Sequence, residues 1–397
     1  MKRCWQYIVC CVFLLGFAVG QAAAGGLAMG DLTYEQNEDR SNFIGQVRKA
    51  RQGDTEAQWQ VGMTYATLGE YVRALPMLLS AAEAGHPRAA TLLGWLHEDG
   101  RGTAKSVAQA KRWYRSAADK GEASAMAALG RLLLQDKQPE TPDAARQLFE
   151  RAARLGDADG QYFLGWMLAT QMEGQRDDAS AYGWFIKAAN QGHVGAQLAV
   201  ATQLLAGHGM AMDRKAAGDW LARAAETRDP VAHYLLGRLR QGDGESDLDK
   251  VRSSFRVAAV AGHREAQYAL ATLLAKSAAG VDKKEAAGWF AKAHEAGHIA
   301  AANRLAELYR DGAGVPRQLD TARSIFQQAA EQGDADAMYN LAEMQNDGQG
   351  GARDTGKALE WYTRAAGRGH RRAAGVVDSL LNSSVKLSDL RLKGFWQ

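Results

Sequence analysis

The chain has 397 residues, 46% hydrophobic and 23% charged, with a formal net charge of +3 at pH 7. Such a composition is that of an ordinary soluble protein and selects no function. The absence of any lysine- or arginine-rich block excludes a surface that tracks nucleic-acid phosphates through counterion release.

At the N-terminus, Lys2 and Arg3 precede an apolar run from about Tyr7 to Val19, and Ala22, Ala23 and Ala24 follow. This is the layout of a secretory signal over residues 1–24, cleaved near Ala24, with an uncleaved anchor as the alternative. The run is shorter than the roughly 20 apolar residues a membrane-spanning helix needs. Cys4, Cys10 and Cys11 all lie inside the signal. The exported chain would therefore form no disulfide and offer no thiolate to a metal or a substrate, leaving stability to packing. Neither Cys10 nor Cys11 follows a small-residue cleavage signal, so lipid attachment is not expected. Cleavage removes two basic and no acidic residues, leaving a net charge of +1. The expectation is a periplasmic or secreted protein without stable membrane insertion once the signal is removed.

Residues 25–41, with "EQNEDRSN", read as a flexible segment and residues 42–52 as a capping half-hairpin. A repeat then occupies residues 42–381. A glycine followed by a small polar residue or histidine, with alanine three positions further on, returns at Gly53, Gly85, Gly121, Gly156, Gly192, Gly262, Gly297, Gly333 and Gly369, and Arg228 stands in for the missing glycine. Self-similarity at roughly 36 residues means a solenoid.

Counting from each junction, the fourth residue is alanine in all units but one, where Gly160 replaces it, and the eighth is always Leu or Val. The ninth is Gly or Ala except at Asp378. A small and a large apolar residue four apart mark one face of a helix. Further along each unit come an alanine, a pair such as Trp113-Tyr114, Trp184-Phe185, Trp220-Leu221, Trp289-Phe290 or Trp361-Tyr362, and an Ala-Ala pair such as Ala365-Ala366. Offsets of three, four and seven trace a second helical stripe, so each unit is a helical hairpin, with the repeated tryptophans as core. The loops "EDGRGT", "AGHGMA", "RDGAGVP" and "NDGQGG" contain Gly-x-Gly; no strand precedes them, so they read as turns at helix ends rather than phosphate cradles.

These residues resemble the Sel-one-like repeat family, relatives of tetratricopeptide repeats, as "AAANRLAELYRDGAGVPRQLDTARSIFQQAAEQGD" illustrates. The resemblance implies an all-α fold, a right-handed superhelical α/α solenoid of about nine hairpins. It also implies roles such as envelope stress signalling, exopolysaccharide export and host interaction. Some units depart from the pattern. "YATLGEYVRALPMLLSAAEAG" is closer to a tetratricopeptide, and its Pro76 should kink or shorten the second helix at a cost of about 3 kcal/mol. "LQDKQPETPD" and "QMEGQRDDAS" lack the Gly-x-Gly loop. Secreted relatives stapled by a disulfide in each repeat, some acting on β-lactams, use cysteines that this chain lacks.

Catalysis finds no support in the residues: there is no Gly-x-Ser-x-Gly elbow and no Cys-His pair, and no carboxylate pair stands out. His86, His193, His263, His298 and His370 recur after the junction glycine, where other units carry Asp54, Glu122, Asp157, Asp229 or Asp334. That exchange suggests a cap for the next helix, and a spacing near 10 Å between stacked units is far beyond the roughly 2 Å of a Zn–N bond. No metal or other cofactor is expected.

The sixth and tenth positions of each unit, which the repeat leaves variable, would face a groove if the first helices line the concave side. They supply Trp59, Trp95, Arg131, Tyr162, Trp166, Tyr234, Arg238, Tyr268 and Tyr339, residue types favoured at recognition surfaces; packing of each ring on the next hairpin is the alternative. The reading is a non-enzymatic scaffold that binds a protein partner of the cell envelope. An envelope-glycan-binding module is the alternative, and a cell-wall or β-lactam hydrolase rests only on distant precedent. Residues 382–397, "NSSVKLSDLRLKGFWQ", are expected to cap the last hairpin or form a tail.

Overall fold

The computed structural model describes residues 37–136, 141–170, 176–242, 248–277 and 280–379, with side chains from residue 42. The signal segment, residues 25–36 of the segment expected to be flexible, and the C-terminal cap or tail lie outside them, while residues 37–41 of that segment are helical. Among the described residues every regular element is a helix. The chain divides into two compact units, Met1–Thr227 and Arg228–Gln397.

In the first unit, α1 (Asn37–Arg51) precedes five hairpins: α2 (Thr55–Thr67) with α3 (Tyr71–Glu83), α4 (Pro87–Asp99) with α5 (Val107–Ala118), α6 (Ala123–Leu134) with α7 (Thr141–Arg154), α8 (Ala158–Ala169) with α9 (Asp178–Asn190), and α10 (Val194–Ala206) with α11 (Arg214–Glu226). The second unit holds four: α12 (Pro230–Gly242) with α13 (Leu248–Val260), α14 (Arg264–Ala275) with α15 (Gly280–Glu295), α16 (Ile299–Asp311) with α17 (Leu319–Glu331), and α18 (Ala335–Asp347) with α19 (Thr355–Gly367). A last helical segment covers 371–379. Within each unit the second helix of a hairpin packs on its own first helix and on the first helix of the next hairpin, and α2 packs on α4 and α6 on α8. The nine hairpins are those the repeat predicts.

Small residues set the spacing of these helices. The fourth-position alanines, from Ala57 to Ala373, are at most 2% exposed, as is the residue that opens each second-helix stripe, alanine everywhere but at Val251. The second residue of each aromatic pair fills the hairpin: Phe149, Phe185, Phe255, Phe290 and Phe326 are fully buried. At the ninth position a Cβ on Gly94, Gly130, Gly165 or Gly237 would come within 3 Å of the facing Tyr114, Phe149, Phe185 or Phe255 ring. Side-chain volume is thus moved from one helix to its partner at constant packing.

The tryptophans of the pairs differ from expectation. Trp113 is buried, but Trp184, Trp220, Trp289 and Trp361 are only half-buried. Each carries a cation over its ring: Lys187 at 3.8 Å, Arg223 at 4.6 Å, Lys292 at 4.3 Å and Arg364 at 4.7 Å from the centroid. The cation three residues on lies on the same helical face, so it covers the open side of the indole. These rings remain structural, at the rim of the core rather than inside it.

Pro76 does not shorten its helix. α3 keeps thirteen residues, the length of most of its counterparts. Proline deprives Val72 of its amide partner, but Val72 is 73% exposed, so water can take that carbonyl. The junctions behave as the repeat implies: each junction glycine has φ between 82° and 99°, and Arg228, at φ 59°, adopts the same left-handed turn without being glycine. In the Gly-x-Gly loops both glycines are also left-handed. The second has a further reason to lack a side chain. A Cβ on Gly314 would lie 2.4 Å from the Lys283 carbonyl carbon, so this loop rests directly on the first turn of the preceding second helix.

Candidate binding face

The junction residues are helix caps. The side chains of Asp54, Asp157, Asp229 and Asp334 accept the amide N–H of the residue three positions on, at 2.7–2.8 Å. Histidine does the same through Nδ1: His86, His193, His263, His298 and His370 accept from Ala89, Ala196, Ala266, Ala301 and Ala373 at 3.0–3.2 Å. Glu122 is the exception; α6 has no side-chain cap bond, and the Glu122 carboxylate accepts from the Ser124 hydroxyl instead. Nδ1 accepts only when it is unprotonated, so Nε2 carries the hydrogen. In four units that Nε2–H points at a carboxylate of the preceding hairpin: Glu56 at 3.1 Å, Asp159 at 3.1 Å, Glu265 at 3.2 Å and Asp336 at 3.4 Å.

The sixth-position rings complete the arrangement. Trp59 stacks on His86 at 5.3 Å, Tyr162 on His193 at 4.5 Å, Tyr234 on His263 at 4.7 Å, Tyr268 on His298 at 4.2 Å and Tyr339 on His370 at 4.5 Å. Trp59, Tyr162 and Tyr234 are less than a tenth exposed. They present no free face to a partner: stacking between hairpins occupies them, and burial pushes the Tyr162 hydroxyl well above its ordinary range. Tyr268 and Tyr339 keep an accessible edge. The Tyr339 hydroxyl donates to Glu343, and partial burial with that carboxylate pushes it up to about 12.

A sequence signal for this pairing exists. Aromatics at the sixth position occur in five units, and in those five alone the next junction residue is histidine; Thr91, Ala127, Leu198 and Asn303 are followed by Glu122, Asp157, Asp229 and Asp334. The two partners lie 27 to 31 residues apart, a separation that changes with loop length. No fixed period exposes it.

Tenth-position residues are placed differently. Trp95 on α4 is half-buried, in edge contact with Tyr71 at 6.1 Å and with the Arg101 guanidinium 4.9 Å from its ring. Trp166 on α8 is half-buried, and Arg238 on α12 is exposed. Arg131 on α6 is not available as a free cation: it pairs with Glu98 of α4 at 2.6 Å, and that carboxylate also accepts from the buried Tyr114 hydroxyl at 3.0 Å. The first-helix surface of the first unit therefore offers two indoles on either side of a neutralised arginine. In the second unit the tenth positions are Arg238, Thr272, Glu307 and Glu343, and a buried amide pair lies beneath the last two. Asn303 and Asn340 are joined at 3.0 Å, and Asn340 also accepts from Arg310 at 3.3 Å. Among the described residues no group of three or more His, Cys, Asp or Glu side chains is placed to hold a metal ion, and no helix is long and apolar enough to cross a membrane.

The chain is similar to several known proteins. A fission-yeast protein, Chitin synthase regulatory factor 1 of Schizosaccharomyces pombe, is 35% identical over 115 residues, 28% of this chain and a quarter of that protein. YjcO of Escherichia coli K12, a Sel1-repeat-containing protein, is 28% identical over 177 residues, 43% of this chain and 76% of the relative. Among solved structures, a protective antigen of uropathogenic Escherichia coli strains with an SLR fold is 25% identical, with a TM-score of 0.49 over 85% of this chain and 82% of the other. A Sel1 repeat protein from Oxalobacter formigenes is also 25% identical, with a TM-score of 0.39 over 87% and 92%. The Sel1 repeat model matches residues 87–122, 123–157, 158–193, 264–298, 299–334 and 335–370. With more than half its length in six such matches, laid out as stacked capped hairpins, the chain belongs to the Sel1 repeat family.

Proposed function

We propose that the chain is a non-enzymatic scaffold, exported to the periplasm, that holds a protein partner of the cell envelope against the first helices of its hairpins. One observation carries this reading. Of the two first-helix positions that the repeat leaves variable, the tenth is the one whose Trp95, Trp166 and Arg238 side chains stay accessible. Indole and guanidinium groups are the anchors protein interfaces favour. The sixth-position rings contribute to binding only through the shape they give the surface, with the exposed edges of Tyr268 and Tyr339 as minor contacts. The family is one of interaction repeats, and the name of the fission-yeast relative, a regulatory factor, fits a non-catalytic role.

The test is capture of envelope proteins on the purified chain after mild crosslinking. A Trp95→Ala/Trp166→Ala variant and, separately, Arg238→Glu should keep the wild-type helical circular dichroism. They should lose a specific protein that the wild type retains. Retention of purified envelope glycan instead of protein, lost in the same variants, would replace this reading with a glycan-binding module. Hydrolysis of a cell-wall or β-lactam substrate would overturn both. For export, the form released by osmotic shock should begin at Gly25; one that still begins at Met1 would contradict it.

A further inference from the structure

Five helical segments are capped by an imidazole that must be neutral at Nδ1, while seven other helices are capped by a carboxylate. The chemistry of the two caps diverges on acidification. A carboxylate remains an acceptor down to the carboxylate range, and even protonated it keeps a carbonyl oxygen. A protonated imidazole has N–H at both nitrogens and accepts nothing. Its Nδ1–H would then face the amide N–H it had accepted.

The surroundings decide which junctions respond. His86 faces Glu56 and the Trp59 ring, with Lys120 nearby, bonded to the Gly85 carbonyl at 2.7 Å. Near His193 are Asp159, Tyr162 and the Asp157 carboxylate. Glu265 and Tyr268 contact His298, and Arg264 lies beside Gly297. His370 meets Asp336 and Tyr339, with Arg368 placed over Gly333. In each of these four the carboxylate would hold the Nε2–H of the ring and give it a pivot. His263 differs. Val231 stands where the carboxylate would be, so only Glu265, Asp229 and Arg264 act on it, and burial pushes its pKa below the ordinary imidazole range.

We propose that His86, His193, His298 and His370 form a set of acid-released junctions. On protonation each ring keeps its carboxylate, turns Nδ1 away from the amide and leaves its aromatic partner, uncapping α4, α10, α16 and the segment 371–379. The Asp-capped helices and the His263 junction stay closed. Loosening is therefore confined to chosen junctions within each unit, and it uncovers the edges of Trp59, Tyr162, Tyr268 and Tyr339.

The experiment is residue-resolved amide hydrogen exchange on the full chain at pH 7.5 and pH 5.0, expressed as protection factors so that the intrinsic pH dependence of exchange cancels. Ala89, Ala196, Ala301 and Ala373 should lose protection by roughly five- to tenfold at pH 5.0, the scale of one lost cap. Ala57, Ala216 and Lys357, capped by Asp54, Asp213 and Asp354, should change less than about twofold on that scale. Replacing the four histidines by asparagine, which accepts at both pH values, should abolish the difference. Equal behaviour of the His- and Asp-capped amides within the wild-type chain would overturn the proposal, and so would a pH response that survives in the asparagine variant. The wild-type comparison stands if that variant fails to fold.

Discussion

At Asp157 the chain places a carboxylate where burial opposes its charge. Oδ1 accepts from the Gly160 amide at 2.7 Å, yet burial and the neighbouring charge of Asp159 outweigh that bond and push the group up to about 6. The folded state thus binds this proton more tightly than the unfolded chain does. The group's contribution to stability is full below about pH 4 and is lost as pH rises through about 6. Asparagine caps as well as aspartate and carries no charge. Asp157→Asn should therefore raise unfolding stability by about 1–2 kcal/mol at pH 7.5 and leave it unchanged near pH 4, measured as the shift in thermal unfolding midpoint. His263 works in the opposite sense: its depressed pKa makes its contribution full above the ordinary imidazole range and lost as pH falls through the lower folded value. The capping role was legible in the alternation of His and Asp after a glycine. Burial at one junction was not, because it depends on neighbours from another hairpin.

Between elements, the two kinds of glycine separate by what a side chain would meet. Gly53 has φ 93° and open space around it, whereas Gly314 has φ 80° and the backbone of Lys283 within 2.4 Å of a Cβ. Gly53→Ala should cost about 1–2 kcal/mol, the left-handed penalty alone. Gly314→Ala adds a backbone collision and should cost about 3 kcal/mol or more, read from denaturant unfolding. The stacked pair on α8 and α10 offers a second test. Tyr162→Leu and His193→Asp each break the stack, while together they recreate the Leu198 and Asp229 combination found one unit later. A double-mutant cycle should return at least about 1 kcal/mol of favourable coupling. The hairpins themselves were readable because the alanines and the aromatic pairs recur at constant spacing. The stack was not, because a ring present in five of nine units looks like variation and its partner sits across a loop of changing length. Variation in the repeat therefore had two sources, pairing at the sixth position and accessibility at the tenth.

For the molecule as a whole, repetition makes the fold legible and function hard to read. Each unit repeats the same packing, so the residues that name the fold, such as Trp361-Tyr362 and Ala365-Ala366, carry no information about a partner. What distinguishes this chain is the small set of accessible first-helix side chains. The central claim is that these bind protein. Its most direct measurement is site-specific photo-crosslinking in envelope extracts, with a photoreactive residue placed at Trp95, Trp166 or Arg238, and at Gly183 or Gly288 as controls. Both control glycines are exposed positions on second helices with open space around them. A discrete, protease-sensitive adduct of one mass at first-helix positions, suppressed by excess unlabelled chain and absent at Gly183 and Gly288, is the predicted result. Adducts of equal yield at the control positions, or adducts that resist protease, would contradict it.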